Sequence, residues 1–514
     1  MDTTRGSGTP TGLPPFAVRP VLAIAGALAA LLIALSGRYG FHRDELYFLL
    51  AGHHPAWGYT DQPPLTPILA RATALLGDGP TALRTPSALL SAATVTLTAL
   101  TARELGAHRR AQTLAAACCA ASGYTLAVGH LLSTSTFDLT AELAVLLTAL
   151  RLLRTRDPRW WPALGAAVGT TLLNKQLVLP LLAALAAALL REHRHRIRHR
   201  RPTPPHAPTP TTRTPPAAAW ALLGTALALL IAAPTLWWQA THGLPELKVA
   251  HELAAQNGWA GRWLLLPLQA LQFSPFLLPV ALAGWRALRH DDTLRHARPL
   301  ATAYPVLCAM VIVGGGKPYY PLPLLLVLTA AGCEPVLART RRSARALART
   351  LAAATAVSAL ATLPLLPAGA LALPNAVDPD QGEQVGWPEL TAATATAWHD
   401  LPPDRRAHAV LLTSNYGEAG ALAHYGPALG LPTPYSGHMS LADWGPPPAD
   451  ATGPVLLVHP AGHPALEAPF TGCRTVARVD NGHGVDNLEQ HAAVVLCDPA
   501  PRPWNELWPQ LRQY

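Results

Sequence analysis

Apolar runs of about 17–25 residues, each long enough to cross a bilayer core, recur along this chain from Val18 to Leu366 and then stop. Their spacing predicts spans over residues 18–37, 83–102, 112–131, 137–154, 160–174, 176–191, 217–238, 263–285, 299–314, 320–338 and 347–367. Between 160 and 190 the pattern breaks at Asn174-Lys175, which leaves two short halves. Beyond 367 the apolar residues come in shorter runs. Ala409–Thr413 and Pro454–Val458 read as buried strands, Glu418–Tyr425 fits a helix, and Pro and Gly turns separate them. The expected fold class is a polytopic α-helical membrane protein of about eleven helices with a C-terminal extracytoplasmic α/β domain over 368–514.

Charge gives this path a direction. Half of the 514 residues are hydrophobic and only 13% are charged, yet the net charge is +9. Residues 1–367 hold 33 Lys+Arg and 15 Asp+Glu, a net of +18, whereas 368–514 hold 6 and 15, a net of −9. The cations cluster in alternate loops: Arg103/Arg109/Arg110, Arg151–Arg159, the dense tract from Arg191, Arg286–Arg298 and Arg339–Arg349. This is the asymmetry that marks cytoplasmic loops. It predicts an inward N-terminal tail (1–17), a cytoplasmic basic linker (191–216) without apolar residues to bury, and an outward C-terminal domain. Arginine between apolar spans, with no nucleic-acid motif, excludes a nucleic-acid partner. Ala34-Leu35-Ser36 also resembles a signal-peptide cleavage site; retained or cleaved, the segment delivers the next residues to the outer face. Cys473 and Cys497 then lie on an oxidising side, where a disulfide forms, while Cys118, Cys119, Cys308 and Cys333 read as small apolar residues. The abundance of Arg, Ala, Pro and Gly points to a bacterial plasma membrane.

The first outer loop (38–82) carries the densest chemistry. Asp44 and Glu45 follow the first span directly, amid Phe41, Tyr47 and Phe48, and a carboxylate pair at a membrane edge costs solvation energy. Tyr47–Leu50 forms a short interfacial helix, so Asp44 has two readings, helix cap or catalytic acid. Asp138, opening the fourth span, has the same two. The cations expected on that face are Arg84, Lys175 and Lys317. A membrane-edge lysine snorkels or holds an anion such as phosphate. Gly314-Gly315-Gly316-Lys317 lacks the spacing of a nucleotide loop, which excludes ATP there, and no His/Cys/Asp set has metal-ligand spacing. A carboxylate that activates a hydroxyl and cations that receive a departing phosphate suit glycosyl transfer from a lipid-linked donor, with no metal or other cofactor.

These residues fall into motifs: Asp44-Glu45, Asp61-Gln62-Pro63-Pro64-Leu65, Arg84-Thr85-Pro86-Ser87, Asp138, Leu173-Asn174-Lys175 and Lys317-Pro318-Tyr319-Tyr320-Pro321. In them the chain resembles glycosyltransferase family 39, the protein O-mannosyltransferase-like membrane enzymes of the GT-C fold, and is similar, more distantly, to the lipid A aminoarabinose transferases. Asn415–Ala419 and Pro503–Pro509 look like the actinobacterial branch. The resemblance implies a polyprenyl-phosphate-linked sugar as donor, a protein, lipid or envelope glycan as acceptor, and inversion in a single displacement. It implies Asp44 as general base, Glu45 in support, and Asp138 near the sugar or acceptor. Asp61 and Gln62 would line the site, with Arg84, Lys175 and Lys317 toward the donor phosphate and Tyr320 beside them. The aminoarabinose enzymes carry Lys where Gln62 stands, so here another cation compensates or the donor sits differently. Two rivals are a transporter of lipid-linked glycans, against which the lack of repeated halves counts, and a non-catalytic sensor with an outer ligand-binding domain.

Overall fold

A computed structural model describes residues 12–198, 217–339, 344–377 and 379–514. Most of the expected N-terminal tail and of the basic linker lies outside the described residues; Arg191–Arg198 continue a helix.

Sixteen helices precede the C-terminal domain among the described residues. They are α1 (Val18–Leu35), α2 (Arg43–His53), α3 (Leu65–Ala74), α4 (Pro80–Glu104), α5 (Arg109–Ala120), α6 (Gly123–His130), α7 (Thr134–Thr155) and α8 (Trp160–Leu172). Then follow α9 (Val178–Arg198), α10 (Ala217–Thr241), α11 (Pro245–Trp263), α12 (Leu265–Phe273), α13 (Leu278–His290), α14 (Arg298–Gly314), α15 (Leu322–Arg339) and α16 (Ala344–Thr362). By length and composition α1, α4, α10 and α15 suffice to cross a membrane, and the bent pairs α5–α6 and α12–α13 raise this to six. The chain is a multi-pass membrane protein. Its apolar outer faces fit that reading: α10 leaves Leu222, Leu230 and Trp237 exposed, side chains that only lipid covers without cost.

Two expected spans are shaped differently. Residues 263–285 are not one straight crossing: α12 and the segment Pro275–His290 meet at 87°. Pro275 has no backbone N–H, and Ser274 at φ 116° turns the chain there. Residues 112–131 bend by 59° between α5 and α6. The break at Asn174 is real, for α8 stops at Leu172 and α9 starts at Val178. Asn174 fills the gap, its Nδ2 donating to the Thr134 carbonyl at 2.7 Å and its Oδ1 accepting from Thr66 at 3.0 Å. It thereby ties the α7 and α3 ends together.

The C-terminal domain adds α17 (Ala372–Val377), α18 (Trp387–His399), α19 (Pro403–Arg406), α20 (Tyr416–Tyr425) and α21 (Trp504–Leu507) to a five-stranded sheet. Its strands, β1 (Val410–Thr413), β2 (Tyr435–Ser436), β3 (Val455–His459), β4 (Arg474–Arg478) and β5 (Ala493–Cys497), lie in the order β2-β1-β3-β5-β4. The β2-β1-β3 part is parallel, and β5 runs antiparallel to both β3 and β4. β1 and β3 are buried along their whole length, as a covered parallel sheet requires. Cys473 and Cys497 are joined by a disulfide.

The first outer loop does not lie free on the membrane surface. Phe41, Leu46, Tyr47 and Phe48 of the α2 region share one hydrophobic core with Trp387, Leu390, Leu422, Leu456 and Val494 of the C-terminal domain. Gly420 makes this possible: a Cβ there would stand 2.8 Å from the Leu46 carbonyl carbon. Helix α2 is thus clamped between the membrane helices and the α/β domain.

Candidate active site

The α2 N-terminus is not capped by Asp44. Its N-cap is His42, whose Nδ1 accepts the Asp44 N–H at 3.1 Å. Glu45 closes the capping box by accepting the His42 N–H at 2.8 Å. The Asp44 side chain is therefore free of capping. Its Oδ1 accepts the Tyr416 hydroxyl at 2.8 Å, and Oδ2 takes no hydrogen bond among the described residues. With 38% of its side chain exposed, Asp44 is an accessible carboxylate with one oxygen held and one open. The same logic applies to Asp138: Ser133 caps α7, and Asp138 stands a turn further in.

Glu45 and Arg84 form a closed unit. Arg84 donates from Nε to Glu45 Oε1 at 2.8 Å and from Nη2 to Oε2 at 2.7 Å, and its remaining donors reach the Ser36 and Gly40 carbonyls at 2.7 Å. Glu45 Oε1 also accepts the Leu132 N–H at 2.9 Å. Both side chains are buried, so Arg84 is not presented to a donor phosphate and Glu45 is not presented to substrate. This fits the supporting part expected of Glu45 and differs from the phosphate contact expected of Arg84: the pair fixes the start of α2, and with it Asp44, against α4 and the α6–α7 junction. A buried carboxylate needs such a partner.

A second carboxylate stands beside the first. Asp61 Oδ1 accepts the Tyr47 hydroxyl at 2.6 Å, and burial, with the Asp44 charge adding to it, pushes Asp61 up to about 6. Ser440, from the C-terminal domain, bridges this end of the site. Its Oγ lies 2.9 Å from the Tyr47 hydroxyl oxygen and accepts the Thr60 N–H at 2.8 Å. Gln62 is buried, and neither end of its amide has a hydrogen-bond partner among the described residues.

A second cluster joins Lys175, Asp138, Tyr319 and Tyr320. Lys175 Nζ sits 5.5 and 5.8 Å from the Tyr319 and Tyr320 ring centroids, a cation–π placement. Asp138 and Glu142, one helical turn apart on α7, are both buried, and each keeps one carboxylate oxygen without a hydrogen bond. Glu246 of α11 links the two groups. Burial and the Asp61 charge push it up to about 8, while Lys175 pulls it down. Lys317 follows Gly315, which ends α14 in the left-handed conformation (φ 67°). Its side chain makes no hydrogen bond among the described residues, and its charge helps to lower the Asp380 carboxyl, which lies near the Nε2 of His42. Lys317 therefore stands on the α2 side of the site.

The structure brings Asp44 and Asp61 near one another, and Lys175 near Asp138 and Tyr320, with Gln62 buried beside Asp61. Sequence reasoning missed Tyr416, His438 and Ser440 from the C-terminal domain, and Glu142 and Glu246 from the helices. The signals existed. Asn415…Glu418 is a capping-box spacing that places Tyr416 at a helix start, and Glu142 is four residues from Asp138, on the same face. What they touch was not readable.

Residues 61–206 match the sequence model of the dolichyl-phosphate-mannose-protein mannosyltransferase family. The ArnT of Cupriavidus metallidurans bound to undecaprenyl phosphate has a similar structure at 16% identity and a TM-score of 0.56, over 92% of this chain and 97% of that one. The same protein in the apo state is similar at 15% identity and a TM-score of 0.56, over 93% and 97%. No curated protein sequence matches the chain significantly. The chain thus carries that family's sequence pattern over residues 61–206 and shares the ArnT fold over nearly its whole length.

Proposed function

We propose that this protein moves a sugar from a polyprenyl-phosphate-linked donor to an acceptor hydroxyl at the outer face of a bacterial plasma membrane, with Asp44 as general base and inversion of the anomeric centre. The observation that carries the reading is the Asp44 carboxylate, accessible, freed from capping by His42 and Glu45, and held at one oxygen only. The acceptor O–H gives its proton to Oδ2 as its oxygen attacks the anomeric carbon. The bond from that carbon to the phosphate oxygen breaks, and the lipid phosphate leaves with the electron pair. Lys175 and Lys317, unlike Arg84, are not locked into a buried ion pair, and they supply the positive charge that a departing phosphate requires. Asp138 and Glu142, each with an open carboxylate oxygen, suit sugar hydroxyls as hydrogen-bond donors. The relative bound to undecaprenyl phosphate supports a lipid-linked donor.

The test is to incubate the protein in membranes with radiolabelled undecaprenyl-phosphate-linked pentoses and hexoses and follow label into delipidated protein and into glycolipid. Transfer with inverted anomeric configuration is the expected result. Movement of intact lipid-linked sugar across sealed vesicles, with no new glycosidic bond, would favour the transporter.

A further inference from the structure

The C-terminal domain reaches Asp44 itself through Tyr416. Tyr416 opens α20 and donates its hydroxyl to Asp44, 372 positions away in the chain. Its ring is fixed on three sides. His438 stacks on it at 5.1 Å with a 7° interplanar angle, the Tyr47 ring lies at 4.9 Å, and the Arg43 guanidinium stands 4.8 Å above it. The Tyr416 N–H also donates to His438 Nδ1 at 3.2 Å.

Beneath this ring lies a buried polar cluster that transfer itself does not use. Asn415 caps α20, its Oδ1 accepting the Glu418 N–H at 3.0 Å. Glu418 Oε2 returns by accepting the Asn415 N–H at 3.1 Å and the Ser414 N–H at 2.8 Å. Asn415 Nδ2 donates to Glu489 Oε1 at 3.1 Å. Glu418 and Glu489 are 0% and 3% exposed, and Glu418 Oε1 and Glu489 Oε2 take no hydrogen bond among the described residues. The hydrogen bonds of Ser414, Asn415 and Glu418 form only with α20 starting where it does, which fixes the position of Tyr416. Gly417 and Gly420 seal the arrangement by letting α20 approach Arg43 and Leu46.

We propose that Tyr416 is a positioning residue for the transfer: its hydroxyl sets the rotamer of Asp44 so that Oδ2 faces the acceptor, and the Asn415–Glu418–Glu489 cluster holds Tyr416 to that task. The inference rests on Asp44 being the base. It makes the soluble domain part of the catalytic apparatus, which explains why α20 packs directly against α2.

Tyr416→Phe removes the hydroxyl and keeps the ring stack. With the full-length protein in membranes and labelled undecaprenyl-phosphate sugars as probe, we expect kcat to fall about tenfold and the donor KM to stay within twofold. Placed on Asp44→Asn, the same substitution should lower the residual rate no further, because it acts through Asp44. Asn415→Ala should reproduce the kcat loss with Tyr416 intact, while unfolding temperature in detergent tracks folding separately. Wild-type kcat in Tyr416→Phe, a loss carried by KM alone, or a further loss on Asp44→Asn would each overturn the inference. An Asp44→Asn protein that transfers normally would instead overturn the general-base reading beneath it.

Discussion

Arg84 and Glu45 meet through two hydrogen bonds of 2.8 and 2.7 Å with at most 1% of either side chain exposed. Removing one partner strands a buried charge, which costs roughly 3–5 kcal/mol. Arg84→Met should therefore lower the yield of folded protein and its unfolding temperature, and activity should fall in step with the folded fraction. A folded Arg84→Met protein with an altered donor KM would instead return Arg84 to phosphate binding.

The Lys317 side chain makes no hydrogen bond among the described residues, which leaves its charge available to a phosphate. Lys317→Met should raise the donor concentration needed for half-maximal transfer by about tenfold, the loss of one charge-assisted contact. Unchanged donor saturation would reduce this lysine to a snorkelling end of the chain's late spans.

The Glu418–Glu489 pair predicts a pH effect on stability. Burial pushes Glu489 up to about 7, against which the neighbouring Glu418, the hydrogen bond from Asn415 and the charge of Arg43 act, while Glu383 adds to it. A carboxyl raised in the folded state contributes stability that is complete below its unfolded pKa and is lost as pH rises through the folded value. Unfolding of the detergent-solubilised protein should thus become easier between about pH 5 and pH 8. Glu489→Gln, which cannot ionise, should flatten that slope; an unchanged slope would assign it to other groups.

The disulfide closes a loop between residues 24 apart, a constraint worth about 3 kcal/mol. Neither Cys473 nor Cys497 should react with an alkylating reagent before reduction. Labelling of both without reductant would contradict the bond and, with it, the outward placement of the domain.

What was legible in the sequence were features with local periodicity. The apolar runs located the helices, and the strand pattern found β1 and β3. The bend at Ser274 was marked by Phe273-Ser274-Pro275 and overlooked, because hydropathy alone does not register a missing N–H. Site residues divided in the same way. Asp44 was conspicuous as an acid at a membrane edge, but its neighbour Glu45 looked equivalent. The family resemblance already gave them different parts, and the fold supplies a physical basis: it buries Glu45 against Arg84, 39 residues on, and turns Asp44 toward Tyr416. Pairings at such separations are set by how helices and domains dock, which no local pattern encodes.

The central claim is that Asp44 takes the proton of the acceptor. Asp44→Asn keeps the size and a hydrogen bond to Tyr416 yet cannot accept that proton. Measured as single-turnover transfer from a bound, labelled undecaprenyl-phosphate sugar, it should be at least about a hundredfold slower than wild type, the usual scale of a lost general base. Donor binding should be retained. Transfer at the wild-type rate by a correctly inserted Asp44→Asn protein would contradict the account.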